Sequence, residues 1–484
     1  MLKLRRDPRY IPDPVESGKE VRFRDFQDVE RSCRVRDFSR TGLSFLLEDG
    51  SLIFRIGDVI SDIRFFSFGK EVHSSGATII HILDEYQDNK VISRIGCRFE
   101  NAMDVSTIIS GDKVTRLKNE YTDFIHSLAV EDNLDQEFVH LTSHLHYLLT
   151  NFKNRLKEED EKIQDEEEPL RSVLYDTLRS LTFEAINDVT LKFCDQFTGI
   201  TSKFTDSKQH FIHREYFQKM LGGFFTSSAL FERALTKPLG YAGDYEMMNI
   251  IYRNEFEGKD IFSQVMNKVD CEGTAARAVR NRREYFFGKI TSVYQSTPVG
   301  SGCKIASIAC GPCVEMADFL KLLPSIRRPV SMEFIAMDQD QNAIQNAEQR
   351  LLPLGKDFKD IAIHVVRNNI KELILGRKKD HSLYADADLI YTAGLCDYLS
   401  FSATNRLVKE LYRYLKPGGT LIVGNFGPYN PQKFKMEYGS EWFLIYRSEE
   451  EIKDFARGLP EDITVSVERE PEGVNLFLNI TKPL

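Results

Sequence analysis

Short runs in which apolar and polar residues alternate fill residues 1–102, and Gly, Asp and Asn interrupt them. Alternation with a period of two is typical of strands that bury one face. The pattern therefore predicts a small antiparallel barrel or sandwich in this region. The runs are VRFRDF, RSCRVRDFS, GLSFLLE, DVISDIRFF, ATIIHILDE and ISRIGCRFE.

Residues 103–295 have a different pattern, in which apolar residues recur at the three- and four-residue spacing of amphipathic helices. The clearest examples are LTSHLHYLLTNFKNRL and LYDTLRSLTFEAINDVTLKFCDQF. Between them lies the acidic run KEEDEKIQDEEEP, which is either the solvated end of a helix or a flexible joint closed by Pro169. The pattern predicts a helical region.

Residues 296–484 alternate between short apolar runs and helical stretches. This alternation predicts a parallel sheet covered on both faces, and the last two runs, DITVSVERE and GVNLFLNITK, predict a closing antiparallel hairpin. The chain is thus predicted to be multidomain: all-β at 1–102, helical at 103–295 and α/β at 296–484. The other strand candidates are KIASIA, FIAMD, IAIHVV, ADLIYT and GTLIVGNF.

Composition narrows the class of protein. With 484 residues, of which 42% are hydrophobic and 28% charged, the chain is expected to form two or three soluble globular domains. A net charge of −9 argues against general nucleic-acid binding. Nine arginines among the first 40 residues nevertheless indicate a local site for a compact anion.

The sequence lacks the usual signals for export and membrane insertion. No apolar run approaches the roughly 20 residues of a membrane span, and MLKLRRDPRY is not followed by the apolar core of a secretion signal. The eight cysteines are scattered, as expected for reduced thiols. These observations predict a cytoplasmic protein.

Candidate ligand-binding residues follow the strands of the α/β region, because open parallel sheets bind ligands at the carboxyl ends of their strands. After KIASIA comes a glycine turn that leads into a helix, whose first N–H groups can face a polar or anionic group. FIAMD ends in an acid that can accept hydrogen bonds from both hydroxyls of a ribose. These two strands supply Ala309, Cys310, Gly311, Pro312, Glu315, Asp338 and Gln339.

The following strands add further candidates. IAIHVV leads to Asn368 and Asn369, whose amides can recognise the edge of an adenine. ADLIYT ends at Thr392, close to Gly394. Before the fifth strand, the segment LKPGG is a helix stop and a turn.

The order and spacing of these segments resemble the motifs of class I S-adenosylmethionine-dependent methyltransferases. The resemblance implies a Rossmann-like sheet with a terminal antiparallel hairpin, and S-adenosylmethionine as the cofactor. It also implies a cofactor-binding role for the candidates named above. The chain departs from the family pattern in the first loop, where Ser307 replaces the usual acid and Pro312 and Cys313 crowd the turn.

The segment Cys310-Gly311-Pro312-Cys313 also allows another interpretation. A CxxC sequence between a strand and a helix is similar to the active site of thioredoxins, where the helix N-terminus lowers the pKa of the first thiol. Ala309 stands where thioredoxins usually have Trp, and the later strand–acid and LKPGG segments have no place in that fold. Inert cysteines in a tight loop are therefore favoured, with a thiol redox protein as an alternative.

Longer stretches resemble bacterial enzymes known as 3-hydroxypalmitate methyl ester synthases. They span about residues 170–484 and include KPLGYAGDYE, SIACGPCVE, YTAGLCDYLS, GNFGPYNP and WFLIYRSEEE. The resemblance implies O-methylation of the carboxylate of a fatty or hydroxy-fatty acid, with the helical region as a cap over cofactor and substrate. Because a carboxylate is already a nucleophile, such an enzyme needs positioning and exclusion of water rather than a strong base.

The same stretches contain the candidates for positioning the methyl donor or acceptor. The GYAGDY segment is interpreted as a loop over the cofactor, with a structured turn between cap helices as the alternative. Phe224, Phe225 and Phe231 would suit the lining of an acyl channel, although ordinary helix packing also explains each of them. The predicted catalytic residues are Tyr241, Asp244, Tyr391, Asp397 and Tyr398.

The N-terminal region carries RRDPR and, later, DFSRTG, which match the RxxxR and DxSxxG signatures of PilZ domains. With the strand runs, they make residues 1–102 resemble that family, and the resemblance implies a β-barrel that binds cyclic di-GMP as a regulatory ligand. Arginines can form paired hydrogen bonds with phosphates and guanine edges, and an aspartate can accept from guanine N–H groups. The predicted cyclic di-GMP-binding residues are Arg5, Arg6, Arg9, Asp37, Ser39 and Gly42.

Together the resemblances predict a cyclic di-GMP-responsive methyltransferase. A second hypothesis takes the unusual SIACGPC loop as the mark of a catalytically degenerate domain that signals through cyclic di-GMP and a protein partner. His140, His144 and His146 lie close together, but without a nearby acid or Cys to complete a ligand set, so no metal site is predicted. The GxSxG elbow of a hydrolase does not occur in the sequence.

Overall fold

The computed structural model describes residues 10, 19–25, 28–47, 54–67, 69–87, 90–105, 108, 133–375 and 381–484. The chain forms two compact units, Met1–Asn133 and Leu134–Leu484. The first unit contains the region predicted to be all-β. The second contains the predicted helical region from residue 134 onward and the α/β region, so these form one compact body, whereas residues 103–133 of the predicted helical region belong to the first unit.

The strands of the first unit are β1 (Lys19–Arg24), β2 (Glu30–Ser39), β3 (Gly42–Leu47), β4 (Val59–Ser67), β5 (Lys70–Gln87) and β6 (Lys90–Phe99). They form a closed antiparallel barrel in the order β1-β2-β3-β6-β5-β4, in which β4 pairs back onto β1. Alternate residues point inward, so that Val21 and Phe23 of β1 are buried. Phe38, Phe45 and Phe65 are fully buried in the centre of the barrel.

The barrel strands follow the predicted runs, with one extension. β5 begins at Lys70, whereas its predicted run begins at Ala77. The additional segment, KEVHSSG, is mostly polar, and its first residues are exposed or half-buried. Pairing with β4 makes this segment a strand, and the hydrophobic pattern of the segment does not predict such pairing.

In the described part of the second unit, the helices before the sheet are α1 (Gln136–Gln164), α2 (Leu170–Thr201), α3 (Ser207–Phe225), α4 (Ala229–Thr236), α5 (Tyr245–Arg253), α6 (Ile261–Cys271) and α7 (Thr274–Ser296). The side chains of Asp135, Asp206, Asp244 and Asp260 cap α1, α3, α5 and α6 by accepting backbone N–H groups. The acidic run continues α1, so the solvated helix end is the correct one of the two interpretations.

An aromatic core holds these helices together. Phe138, Phe197 and Phe217, from α1, α2 and α3, are at most 1% exposed. The ring of Phe434 stacks on Phe197 with centroids 4.7 Å apart and meets Phe217 edge-on at 5.2 Å. Because Phe434 belongs to the α/β region, this core joins the cap helices to the sheet. None of the helices in the described ranges has the length and hydropathy needed to cross a membrane.

The strands of the α/β region are β7 (Gly302–Ile308), β8 (Ser331–Asp338), β9 (Ile361–Arg367), β10 (Ala387–Thr392), β11 (Leu415–Phe426), β12 (Thr464–Arg469) and β13 (Asn475–Thr481). They form one sheet in the order β12-β13-β11-β10-β7-β8-β9. Neighbours from β11 to β9 are parallel, whereas β13 is antiparallel to both β11 and β12. The predicted fold class, a Rossmann-like sheet with a terminal antiparallel hairpin, is confirmed.

The helices that accompany these strands are α8 (Val314–Leu322), α9 (Gln341–Gly355), α10 (Ile370–Ile374), α11 (Phe401–Arg413) and α12 (Glu449–Lys453). Alternate residues of β7 enter different cores: Ile305 packs with Phe319 of α8, and Ala306 with Leu407 of α11. The strand order reverses at β7, which lies between β8 and β10. Such a reversal opens a crevice at the carboxyl ends of the strands.

Candidate functional site

A cavity of about 370 Å³, the central cavity, lies at the carboxyl ends of β7, β8 and β10. Further lining residues come from α5, from α7 and from the segment around Trp442. The lining comprises Tyr241, Gly243, Tyr245, Met248, Tyr252, Arg282, Ser307, Ala309, Cys310, Gly311, Pro312, Glu315, Asp338, Gln339, Ile370, Lys371, Ile374, Ala393, Gly394, Leu395, Asp397, Tyr398, Leu399, Phe426, Trp442 and Leu444. Most of the sequence-predicted site residues of this unit are among them.

The loop after β7 has a strained backbone. Ala309, Gly311 and Cys313 all adopt the left-handed conformation, with φ of 55°, 53° and 52°. Two of these three residues carry a side chain, and the conformation costs such residues about 1–3 kcal/mol each. The loop is held from the neighbouring strand, because the Cys310 N–H donates to the Met337 carbonyl at 2.9 Å.

Asp338 ends β8 beside this loop and is 7% exposed. Its two carboxylate oxygens accept the backbone N–H groups of Gly311 and Asp340, at 2.9 and 3.0 Å. Burial raises the pKa of the Asp338 carboxyl, and the backbone hydrogen bonds partly oppose that rise. Because a carboxylate oxygen can accept more than one hydrogen bond, Asp338 can also accept from a ligand in the cavity.

A second depression, the outer groove, shares Tyr241 and Gln339 with the central cavity and has a volume of about 630 Å³. Asn368 and Asn369 line this groove. The side-chain oxygen of Asn369 accepts a backbone N–H at 2.8 Å and so caps α10. The structure thus brings both predicted asparagines to the edge of the sheet where Asp338 lies.

The GYAGDY turn, Gly240–Tyr245, lies against the central cavity. A Cβ on Gly243, whose φ is 77°, would lie 2.5 Å from the Tyr398 hydroxyl, so this close approach requires glycine. That hydroxyl donates to the Ala242 carbonyl at 3.0 Å and accepts from Trp442 Nε1 at 2.7 Å. These bonds hold the turn against the cavity. The turn also joins α4 to α5, so its position agrees with both interpretations.

All three predicted catalytic residues in the cavity, Tyr241, Asp397 and Tyr398, have raised pKa values, and burial is the largest cause for each. Burial raises the pKa of Tyr241, and the carboxylates of Asp338 and Asp340 raise it further. Burial also raises the pKa of Asp397 to about 7, although its carboxylate accepts the Phe426 N–H at 2.7 Å. Near neutral pH, Asp397 is therefore divided between its charged and neutral forms.

Three predicted site residues line neither the cavity nor the groove. Asp244 caps α5, and its carboxylate forms an ion pair with Arg233 at 2.7 Å. Tyr391 is fully buried and its hydroxyl donates to Glu315 Oε1 at 2.7 Å. Thr392 is fully buried at the end of β10. These side chains shape the walls of the site, and their geometry does not support direct contact with a ligand.

Sequence reasoning missed two informative lining residues, Arg282 and Trp442. Arg282 belongs to α7, where it is one of several arginines and looks like part of a solvated face. Trp442 lies in a segment without a regular hydrophobic period. A usable signal existed only for Trp442, because it is the single tryptophan of the chain and falls in the WFLIYRSEEE stretch.

The phenylalanines considered for an acyl channel lie elsewhere. Phe225 and Phe231 are buried in the core of the cap helices, and Phe224 meets His146 and Phe262 edge-on. None of the three lines the central cavity, so the structure supports the helix-packing interpretation for them. In the part of the chain that the structure describes, no group of three or more side chains could hold a metal ion.

Cys310 and Cys313 are both buried, and neither forms a disulfide. A hydrogen bond with Cys310, together with burial, raises the pKa of Cys313 well above its ordinary value. The same hydrogen bond lowers the pKa of Cys310, but burial together with the charges of Asp338 and Glu315 outweighs it, and the pKa of Cys310 is also raised. Raised pKa values disfavour the thiolates that redox chemistry needs, so these observations favour inert cysteines.

In the barrel, the DxSxxG motif forms the hairpin between β2 and β3, where Ser39 pairs with Gly42. The Ser39 hydroxyl donates to the Gly42 carbonyl at 3.3 Å. The Asp37 carboxylate accepts from the Ser44 hydroxyl at 2.8 Å and forms an ion pair with Arg94. Asp37 is only 3% exposed, so its carboxylate is bound within the barrel itself.

Gly42 is required by close packing. A Cβ at this position would come within 2.2 Å of the Cys97 carbonyl oxygen on β6. The predicted ligand-binding arginines Arg5, Arg6 and Arg9 lie outside the described residues. The structure therefore shows one part of the predicted nucleotide site, the hairpin.

Comparisons with known proteins agree with part of this picture. A model of the PilZ domain matches residues 3–110, which confirms the resemblance of the N-terminal region to that family. None of the curated proteins matches the chain significantly. A possible exported protein from Bordetella parapertussis is a structural neighbour at 18% identity and a TM-score of 0.38, covering 50% of this chain and 80% of its own.

Two structural neighbours are methyltransferases. The magnesium protoporphyrin IX methyltransferase from Synechocystis PCC 6803 is 8% identical, with a TM-score of 0.34, and covers 48% of this chain and 93% of its own. An S-adenosylmethionine-dependent methyltransferase from Methanosarcina mazei is 18% identical, with a TM-score of 0.28, and covers 40% of this chain and 97% of its own. Similarity at this level is too low to assign a function.

Proposed function

We propose that the second unit is an S-adenosylmethionine-dependent methyltransferase that methylates the carboxylate of a fatty or hydroxy-fatty acid, and that cyclic di-GMP bound to the barrel regulates it. One observation carries the proposal: Asp338, at the end of β8, is buried and hydrogen-bonded to the turn that follows β7. In a Rossmann-like sheet, an acid at this point suits the two hydroxyls of a ribose.

The central cavity and the outer groove suit a nucleoside with an amino-acid tail. The cavity volume of about 370 Å³ falls within the range of small-molecule sites, about 300–1,000 Å³. In this proposal Asp338 accepts from the ribose, Asn368 meets the adenine, and the loop around Gly311 lies against the methionyl part. When bound, S-adenosylmethionine supplies an electrophilic methyl group on a sulfonium.

The backbone of the loop after β7 supports cofactor binding in spite of its unusual sequence. Strained conformations persist only where the surrounding structure holds them, and they cluster at functional sites. Ala309 and Cys313 keep the left-handed conformation even though each carries a side chain. The loop thus retains a backbone that glycines would adopt more easily, as expected if the backbone approaches a ligand.

The apolar part of the central cavity suits an acyl acceptor. Met248, Leu399, Phe426, Trp442 and Leu444 contribute to it. Such a wall would hold an acyl chain and exclude water from the reacting carboxylate, which strengthens the electrostatic interactions of the site. Binding the acceptor in line with the methyl group would supply most of the catalysis, because no proton has to be removed from a carboxylate.

Three of the predicted catalytic residues, Tyr241, Asp397 and Tyr398, belong to the cavity lining. We assign them positioning roles. Tyr398 holds the GYAGDY turn through its bonds to Ala242 and Trp442, and Tyr241 is close enough to Asp338 for the carboxylate to raise the pKa of its hydroxyl. Burial raises the pKa of both tyrosines further above neutral. Tyr398 already donates its proton to Ala242, so Tyr241 is the one of the two that would donate to a ligand.

The barrel is assigned to cyclic di-GMP on the strength of the PilZ match over residues 3–110. Arg5, Arg6 and Arg9 would bind the phosphates and guanine edges, and the hairpin from Asp37 to Gly42 would approach the bases. Regulation requires more than binding. The effector must have different affinities for two conformations of the protein, because a ligand that binds both equally shifts neither.

A catalytically degenerate domain that signals through cyclic di-GMP and a protein partner is the second candidate. Ser307 favours it, because this residue lines the central cavity at the place where the methyltransferase pattern has an acid. A domain of this kind would keep the sheet and the cavity but bind S-adenosylmethionine weakly, if at all.

Calorimetric titration separates the two candidates. The full chain is titrated with S-adenosylmethionine and, separately, with cyclic di-GMP, and each titration is repeated with the other ligand saturating. We expect both to bind and each to change the affinity of the other by the same factor. Binding of cyclic di-GMP alone would reject the enzyme in favour of the degenerate domain. Methyl transfer to fatty and hydroxy-fatty acids then tests the acceptor class.

A further inference from the structure

Arg282 is a buried cation that faces the central cavity. It lies on α7, is 8% exposed and belongs to the cavity lining. Its Nη2 donates to the sulfur of Met248 at 3.1 Å, which is a weak acceptor. Its Nε has no hydrogen-bond partner among the described residues. The guanidinium also has a hydrogen bond with the Tyr252 side chain, so among the described residues only neutral groups accept its hydrogen bonds.

The nearest acids do not supply a counter-ion. In the described ranges, no carboxylate oxygen lies within 4.0 Å of the Arg282 nitrogens. Glu315 and Asp397 are close enough to feel its charge, but both are engaged elsewhere. Glu315 accepts from the Tyr391 hydroxyl and Asp397 from the Phe426 N–H, each at 2.7 Å.

The backbone makes room for this guanidinium. A Cβ on Gly394, in the segment after β10, would lie 2.8 Å from Arg282 Nη1. Glycine therefore lets the guanidinium lie directly against the strand-end loop of the sheet. The arrangement places the cation beside the carboxyl ends of β7 and β10, where ligands of such sheets bind.

A guanidinium at this place requires a physical explanation. Guanidinium groups in proteins stay charged when they are buried. A buried charge without a paired, hydrogen-bonded partner is strongly unfavourable. The planar fork of N–H groups matches a carboxylate, with which it forms two parallel hydrogen bonds. The missing partner of Arg282 is thus expected to be a ligand of that chemistry.

We propose that Arg282 is a carboxylate-binding residue, whose guanidinium pairs with the carboxylate of a ligand held in the central cavity. This inference rests on the proposed function for the identity of the ligand. That function offers two sources of a carboxylate: the methionyl end of the cofactor and the fatty-acid acceptor. The chemistry is the same for both, so the experiment must distinguish the sources.

The variants are Arg282→Gln, which removes the charge, and Arg282→Lys, which keeps the charge but loses the fork. The matched control is Arg283→Gln. Arg283 is the next residue of α7 but pairs with Asp318, at 2.6 Å between Nε and Oδ2, and does not line the cavity. All variants are made in the full chain, and thermal melts establish that they fold. Where Arg282→Gln fails to fold, Arg282→Lys carries the test.

The cofactor arm compares two probes, S-adenosylhomocysteine and 5′-methylthioadenosine, which share the nucleoside and the thioether. Only the first has a carboxylate. If Arg282 binds the cofactor, Arg282→Gln lowers the affinity for S-adenosylhomocysteine at least tenfold, and Arg282→Lys lowers it less. Neither variant changes the affinity for 5′-methylthioadenosine. Arg283→Gln leaves both affinities within twofold of the parent.

The acceptor arm uses 3-hydroxydecanoic acid and its methyl ester, titrated with S-adenosylhomocysteine saturating. If Arg282 binds the acceptor, Arg282→Gln lowers the ratio of the affinity for the acid to the affinity for the ester at least tenfold. This ratio responds to a carboxylate-specific contact, whereas a general loss of packing lowers the affinity of both compounds alike.

Unchanged ratios in both arms, or equal losses for charged and uncharged probes, would overturn the proposal and leave Arg282 a structural residue. Failure of the proposed function looks different: the parent protein would bind neither S-adenosylhomocysteine nor 5′-methylthioadenosine. The acid-to-ester ratio measured without cofactor would then decide the role of Arg282 by itself.

Discussion

Two aspartates, one in each unit, are both buried but have different hydrogen-bond partners. Asp37 of the barrel and Asp338 of the sheet are 3% and 7% exposed, and both were predicted to bind a ligand. Side chains bind the Asp37 carboxylate, namely the Arg94 guanidinium and the Ser44 hydroxyl. Backbone N–H groups bind the Asp338 carboxylate.

This difference separates residues that hold a fold from residues that serve a ligand. A buried carboxylate paired with a cation is part of the structure, because removing the cation would leave the buried carboxylate without its counter-ion. A carboxylate held only by backbone N–H groups keeps its net charge and its remaining lone pairs for an incoming group. The comparison therefore predicts loss of stability in the barrel and loss of ligand affinity in the sheet.

The largest effect is expected for Asp338→Ala. The substitution removes the acceptor of two ribose hydroxyls, and hydrogen bonds to a charged group contribute about 1.5–3 kcal/mol each. The affinity for S-adenosylmethionine should fall by at least 100-fold, while the affinity for cyclic di-GMP is unchanged. Calorimetric titration of the full chain with each ligand provides both measurements.

The matched control for this prediction is Glu333→Gln on the same strand, where the side chain pairs with Lys304 away from the central cavity. It should leave both affinities within twofold of the parent. If Asp338→Ala lowered the affinity for both ligands equally, the hypothesis of two separate sites would be contradicted, because such a result would indicate general damage to the protein.

The second effect, in the barrel, is expected for Asp37→Ala. Arg94 is partly exposed and keeps its bond to the Ser44 hydroxyl, but it would lose its charged partner, at a cost of about 2 kcal/mol in the free energy of opening the barrel. Hydrogen exchange of the strand amides in the full chain measures this cost. Ser39→Ala is the control, since it removes only a 3.3 Å bond to the Gly42 carbonyl. If Ser39→Ala destabilises the barrel as much as Asp37→Ala, the comparison is wrong.

Asp397 extends the comparison, because it is a buried aspartate that binds one backbone N–H and forms no ion pair in the described part of the chain. Burial raises its pKa from the ordinary 3.8 to about 7 in the folded protein. The folded state therefore holds the proton more tightly than the unfolded state. Its contribution to stability is full below pH 3.8 and declines as the pH rises towards 7.

The variant Asp397→Asn tests this sign. As the pH rises between the two pKa values, the free energy of unfolding of the parent should fall relative to that of the variant by about 1.4 kcal/mol per pH unit. This difference should level off above pH 7. Denaturant unfolding at several pH values measures the difference, in which other titrating groups cancel. A difference that is constant with pH would show that Asp397 has an ordinary pKa.

Most of the fold could be predicted from the sequence, because its strands carry strong hydrophobic patterns. ADLIYT coincides with β10, Ala387–Thr392. The first half of β5 could not be predicted, because pairing with β4 rather than burial makes it a strand. The register of neighbouring strands is likewise set by contacts between distant parts of the chain, so it could not be predicted locally.

The site was predicted less completely, for a physical reason. Motifs identify residue types but not the direction of a side chain, so the predicted site includes Asp244 and Tyr391, although both are engaged within the fold. Arg282 is the opposite case, because it lines the central cavity but was not predicted. It lies among other arginines on α7, and the sequence alone does not show that this one is 8% exposed while Arg283 pairs with an acid outside the cavity.

The smallest effect is expected for Cys310→Ser. Cys310 is buried and its pKa is raised, so it is a protonated thiol rather than a nucleophile. Serine has nearly the same shape and can keep the hydrogen bond to Cys313, so the affinity for S-adenosylmethionine and the rate of methyl transfer should stay within about threefold of the parent, or roughly 0.7 kcal/mol. Both are measured with and without a reducing agent. A tenfold loss, together with a dependence on the reductant that the parent shows and the variant does not, would instead support the thiol redox alternative, because the difference would then come from the Cys310 thiol itself.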